Sequence, residues 1–137
     1  MDPLLTKSLA RYQHARKVYG LLFLAGQGSR DPHTNECAGL NRGHDGLIIG
    51  YNVAEQAHGV FKNIESVLAA HHLDRRHLID VTVFLTDMKD FAEMNRIWNE
   101  FFKDCEPPTR TTVAVHQLPG DNFIEMKAVA AFPEGHQ

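Results

Sequence analysis

Two charged residues near the C-terminus sit where charge is costly. Arg110 opens the alternating run T-R-T-T-V-A-V-H, and Glu125 interrupts the apolar run F-I-E-M-K-A-V-A-A-F. A guanidinium presents a planar fork of donors that fits a carboxylate and stays charged at any relevant pH. A carboxylate among apolar neighbours must be exposed, paired or held for chemistry. Together the two suggest a modest anion site. Each also has a plainer reading. Arg110 could lay its stem on the core with its head in water, and Glu125 could be the outward residue between Ile124 and Met126. The turn-forming L-P-G-D-N predicts a hairpin that brings both near one end, in a register the pattern leaves open.

Other candidate groups are weaker. A-G-Q-G-S-R-D-P (25–32) resembles a phosphate-cradling loop, but Asp31 stands where a third glycine is needed and Pro32 denies the following helix. Backbone amides and Arg30 presented to a small anion suit this loop better. His116 ends a predicted strand, as a proton donor or as a satisfied strand-end residue. The H-H-L-D-R-R-H run (71–77) lacks metal-ligand spacing and reads as a polar helix end. Cys37 and Cys105 are far apart and without a local activating base, which suits reduced thiols. No metal site is expected. A net charge of −3 argues against a general nucleic-acid binder. The absence of a signal-peptide pattern and of any long apolar run leads to the expectation of a cytoplasmic protein without membrane contact.

The elements that must position these groups follow from periodicity. Residues 1–137 are the size of one domain. Strands are predicted at Tyr12–Val18 and Gly20–Ala25, then a long loop over Gly26–Asp45. Asn52 and Glu55 cap a helix running to about His71, with Val53, Ala57, Val60, Ile64, Val67 and Leu68 on its buried face. Ile79, Val81, Val83 and Leu85 mark a strand. Asp90 and Glu93 cap a second helix, with Phe91, Met94, Trp98 and Phe101 or Phe102 inward, until Pro107 and Pro108 stop it. Strands at about Thr109–His116 and Phe123–Ala131 complete the order ββαβαββ. An α+β fold is expected, one mixed β-sheet with two helices packed on one face. The other sheet face, carrying Val, Ala and Met, is too apolar to stay wet, and self-association would cover it.

The stretch P-T-R-T-T-V-A-V-H-Q-L-P, followed by I-E-M-K-A-V-A, resembles the signature of the Rid/YjgF family of enamine/imine deaminases. The resemblance extends upstream through M-N-R-I-W-N-E-F-F, V-T-V-F-L-T-D-M-K-D-F and F-K-N-I-E-S-V-L, and is weakest over Gly28–Asp45. It implies a single Rid/YjgF-like domain with a chorismate-mutase-like fold. It also implies a homotrimer, or a hexamer of paired trimers, with active sites between subunits and no cofactor. Within the family, R-T-T-V-A-V-H-Q-L-P and S-R-D-P are most similar to the branch that hydrolyses 2-aminomuconate to 4-oxalocrotonate (2-oxohex-3-enedioate) and ammonia in aromatic-compound catabolism. The substrate implied is a small dicarboxylate.

By that resemblance the carboxylate-binding arginine falls on Arg110, the water-orienting glutamate on Glu125, the site tyrosine on Tyr12 and the site asparagine on Asn95. Arg30, with His14 as the alternative, is the candidate partner of the second carboxylate, and His116 a candidate proton carrier. Two positions depart from the family pattern. Ala25 stands where many members have serine, and Thr112, still able to donate a hydrogen bond, stands where many have cysteine. The competing expectations are a general deaminase of 2-aminoacrylate-type enamines and a non-enzymatic trimeric ligand-binding protein.

Overall fold

The computed structural model describes residues 5–8 and 10–133. In chain order the elements are β1 (Ala15–Val18), β2 (Leu21–Leu24), β3 (Leu40–Arg42), β4 (Ile48–Tyr51), α1 (Val53–Ala70), β5 (Leu78–Leu85), α2 (Phe91–Phe101), β6 (Thr109–Ala114) and β7 (Ile124–Ala131). Five strands form one mixed sheet in the order β1-β2-β7-β5-β6, while β3 and β4 make a separate two-stranded ribbon. Only β5 and β6 run parallel.

The period-2 alternation sets the faces. Leu22, Leu24, Val81, Val83, Leu85, Ile124, Met126, Ala128 and Ala130 turn inward and join the buried stripes of α1 and α2 in one core. Val60, Ile64, Val67 and Leu68 supply the α1 stripe, and Met94, Ile97 and Trp98, with Phe102 just past the helix end, supply that of α2. At about 1.5–3 kcal/mol for each fully buried large side chain, this burial is the main force fastening both helices to one face. The opposite face keeps Phe23 and Val113 exposed, with Phe84, Glu125 and Val129 half-buried.

The caps account for the helix boundaries. The Asn52 side chain accepts a hydrogen bond from the Glu55 amide, as expected of an N-cap. Asp90 makes no such bond at α2; Asp87 instead caps the short 3-10 turn before it by accepting from the Lys89 amide.

The expected β6–β7 hairpin does not form, because β5 lies between the two strands. After β5 the chain crosses over through α2, and a strand returning from such a crossover pairs parallel, which places β6 on the outer edge of β5. β7 then fills the gap between β2 and β5 and satisfies both of its own edges. The predicted long loop also holds β3, which pairs with the unanticipated β4. Ile79, expected inward, is exposed because the β5–β7 register shifts between Leu78 and Asp80. β6 ends at Ala114, so His116 lies beyond it.

Candidate active site

Glu125 is the second residue of β7 and projects from the face opposite the helices, beside Phe84 of β5. It lines a cavity of about 140 Å³ with Tyr12, His14, Gly26, Arg30 and Asn63. Burial pushes the Glu125 carboxyl above its ordinary range, and among the described residues no cation pairs with it. Gly26 is needed for this placement. A Cβ there would lie 2.2 Å from Glu125 Oε1, far inside van der Waals contact.

The cavity wall is a loop, and loops need their polar backbone satisfied. Three amides supply most of the fastening. Buried Gln56 on α1 donates to the carbonyls of Ala38 and Asp121, 3.0 Å each, and its own oxygen accepts from the Phe123 amide at 2.8 Å. Asn63, two turns further along α1, donates to the carbonyls of Gly28 and Arg30. The Asn122 side-chain oxygen accepts from the Ser29 amide and hydroxyl at 2.8 and 2.9 Å. These bonds tie the 26–39 loop and the 117–123 turn to each other and to one helix. The Arg30 guanidinium donates to the Lys7 carbonyl at 2.6 Å and to Asn35 Oδ1 at 3.1 Å, holding the N-terminal segment to the same loop.

Arg110 stands elsewhere. It is in register with buried Val81, so its side chain leaves the sheet on the helix face, against α2. Its guanidinium lies 4.9 Å from the Trp98 ring centre and 5.5 Å from that of Phe91, with one nitrogen 3.7 Å from Met94 Sδ. Aromatic faces attract a cation but do not neutralise it. Among the described residues no carboxylate pairs with Arg110, and burial alone lowers its pKa. Thr112, two residues on and on the same face, has a buried hydroxyl without a hydrogen-bond partner. Arg110 and Thr112 thus make a second polar cluster on the helix face, with no carboxylate partner among the described residues.

The predicted residues therefore separate into groups. Tyr12, Arg30 and Glu125 come together in one cavity, joined by His14. Arg110 and Thr112 lie on the other sheet face. Asn95 is half-buried on α2 and does not line the Glu125 cavity. His116 is exposed and also outside that cavity. Gln56, Asn63 and Asn122 were not anticipated as site-building residues. For the first two a signal existed, since each is a polar residue on the otherwise apolar stripe of α1. Among the described residues no group of three or more His, Cys, Asp or Glu could hold a metal ion, and no helix is long and apolar enough to cross a membrane.

The comparisons with known proteins agree with this architecture. The family model described as endoribonuclease L-PSP matches residues 5–132. A RutC family protein of Aquifex aeolicus is 35% identical over 120 residues, 87% of this chain and 86% of that protein. Protein HMF1 of Saccharomyces cerevisiae is 34% identical over 89% of this chain and 84% of its own length. Among solved structures, E. coli TdcF with bound serine superposes with a TM-score of 0.83 at 27% identity over 97% of both chains. The E. coli YjgF gene product gives 0.81 at 26% identity over 94% of both.

Proposed function

Because the chain belongs to the endoribonuclease L-PSP family, that of the RutC and Rid/YjgF proteins, we propose that it is a hydrolytic deaminase of 2-aminomuconate, yielding 2-oxohex-3-enedioate and ammonia. The site is completed between copies of the chain, with Arg110 and Thr112 from one copy and Glu125, Tyr12 and Arg30 from the next. One observation carries this reading. A single chain holds an unpaired, partly buried guanidinium and an unpaired, partly buried carboxylate on opposite faces of one sheet. Neither arrangement favours an isolated monomer, and a neighbouring copy would satisfy both at a shared cleft.

The chemistry follows from the substrate. 2-Aminomuconate is an enamine conjugated to a carboxylate, and its imine tautomer is the form that water attacks. Arg110 clamps the carboxylate beside C2, so the nitrogen-bearing carbon is fixed relative to the water site. Glu125 takes a proton from that water as oxygen bonds to C2. A carboxyl group raised by burial is a better base than an ordinary glutamate, because its proton affinity lies nearer working pH. Arg30, in the wall of the same cavity, faces the second carboxylate; the two bonds it makes leave further N–H groups to offer. The reaction needs no cofactor.

A general deaminase of 2-aminoacrylate-type enamines is the second reading, favoured by the bound serine of TdcF, a smaller ligand with a single carboxylate. The test follows ultraviolet loss and ammonia release on enzymatically generated 2-aminomuconate and 2-aminoacrylate. Preference for 2-aminomuconate, lost in Arg30→Met, supports the first reading. Equal or better turnover of 2-aminoacrylate selects the second, and ammonia release from neither overturns both.

A further inference from the structure

We infer that His14 is a catalytic residue, the group that carries the proton to the departing nitrogen, an assignment that rests on the deaminase reading above. Three observations on this one residue converge. The first is position. The Ala25 amide donates to the His14 carbonyl at 2.8 Å, which extends the β1–β2 ladder by one pair beyond Ala15 and Leu24. Leu24 is buried on the helix face, so alternation turns His14 to the open face, the face of Glu125. Gly26, adjacent to Ala25, is the residue against which the Glu125 carboxylate lies.

The second observation is company. His14 and Glu125 line the same cavity, with Tyr12 and Arg30. The third is an unmet hydrogen-bonding need. His14 Nδ1 is buried and has no partner, while Nε2 has only Ser8 Oγ, at 3.5 Å, the outer limit of a hydrogen bond. A buried imidazole nitrogen without a partner is costly, and turning the ring into the cavity beside a ligand would supply one. Glu125 has one proton-accepting role already, and the exposed His116 is outside the cavity.

The step balances as follows. Water adds to C2 of the protonated imine and gives its proton to Glu125. His14, as imidazolium, protonates the amino nitrogen of the tetrahedral adduct. The C–N bond breaks, its electron pair leaving on ammonia. The hydroxyl proton of the adduct returns to His14 as the C=O bond forms, and Glu125 releases its proton to ammonia, giving ammonium. One residue thus acts as acid and then as base on two atoms bonded to the same carbon.

His14→Ala and His14→Gln test the assignment, with ammonia release from 2-aminomuconate as the readout and imidazole added in increasing concentration. We expect kcat to fall on the order of 100-fold in both variants, with KM little changed. Imidazole should restore His14→Ala in proportion to its concentration and leave Glu125→Gln unaffected. Retention of kcat within about twofold, a rise in KM alone, or a loss that imidazole does not relieve would each overturn it. The last two would make His14 a binding or packing residue. If wild type released no ammonia from either substrate, the deaminase reading itself would fail and this assignment with it. An active wild type with indifferent His14 variants defeats the assignment alone.

Discussion

Opposite placement of Arg110 and Glu125 has a consequence that subunit mixing can measure. Arg110→Met keeps an apolar side chain against Trp98 and Phe91 while deleting the charge. Glu125→Gln keeps shape and deletes the base. Loss of a bidentate carboxylate clamp should lower kcat/KM by about 100-fold, or roughly 2.7 kcal/mol, and loss of the base by a similar factor. Each variant alone is therefore nearly silent. When equal amounts are unfolded together and refolded, a closed ring that takes Arg110 from one copy and Glu125 from its neighbour has intact pairs wherever the two variants meet in the right order. Half of the positions supply a native Arg110 and half of their neighbours a native Glu125, so about one quarter of sites are complete. The assay is ammonia release before and after mixing, with native mass spectrometry to show mixed assemblies. Recovery toward about one quarter of wild-type activity is expected, well above either parent. Mixed assemblies with no recovery would refute an intersubunit site and require the two groups to act within one chain, against the sheet topology.

Further outcomes follow from the same geometry. Gly26→Ala should fold with a nearly unchanged melting temperature, because the clash falls on the mobile end of the Glu125 side chain, yet lose about tenfold or more in kcat as the carboxylate is displaced. Gln56→Leu strands two carbonyls and one amide and should cost roughly 3 kcal/mol, read by urea denaturation, with faster proteolysis in the 26–39 loop. The raised Glu125 pKa has a defined sign. The folded chain binds the proton more tightly than the unfolded chain, so this contribution to stability is complete below the ordinary glutamate range and is lost as pH rises through the folded value. Glu125→Gln should therefore be relatively more stable than wild type near neutral pH but not in acid, as denaturant titrations across pH would show. The same shift should place the acidic limb of wild-type kcat/KM above the ordinary glutamate range.

Local pattern was enough to establish both helices, the strands of the main sheet and most inward faces, though not β4 or the exposure of Ile79 and Phe91. The Asn52 cap, the α1 stripe from Val53 to Leu68 and the alternation of Val81, Val83 and Leu85 depend on periodicities of 3.6 and 2 and on short-range hydrogen bonding. They survive folding because burial acts on the same stripes. The two residues with a chemical motive, Arg110 and Glu125, were likewise visible as charges in apolar runs. Their relation was not. Chain proximity and a turn between two strands suggested a hairpin, whereas strand order depends on which edges remain open after the β5–α2–β6 crossover.

Insertion of β5 between β6 and β7 set the registers, and Arg110 level with Val81 and Glu125 level with Phe84 put the guanidinium and the carboxylate on opposite faces. The same global arrangement decided which histidine lines the Glu125 cavity within one chain. His116 follows the signature arginine in sequence but ends exposed, while His14, a hundred residues from His116 and outside the C-terminal motif, shares the cavity with Glu125. Residue type and spacing determined what chemistry this chain can offer. Only the tertiary structure decided which groups can meet within one chain, because strand pairing is a contest between long-range contacts that no local window contains.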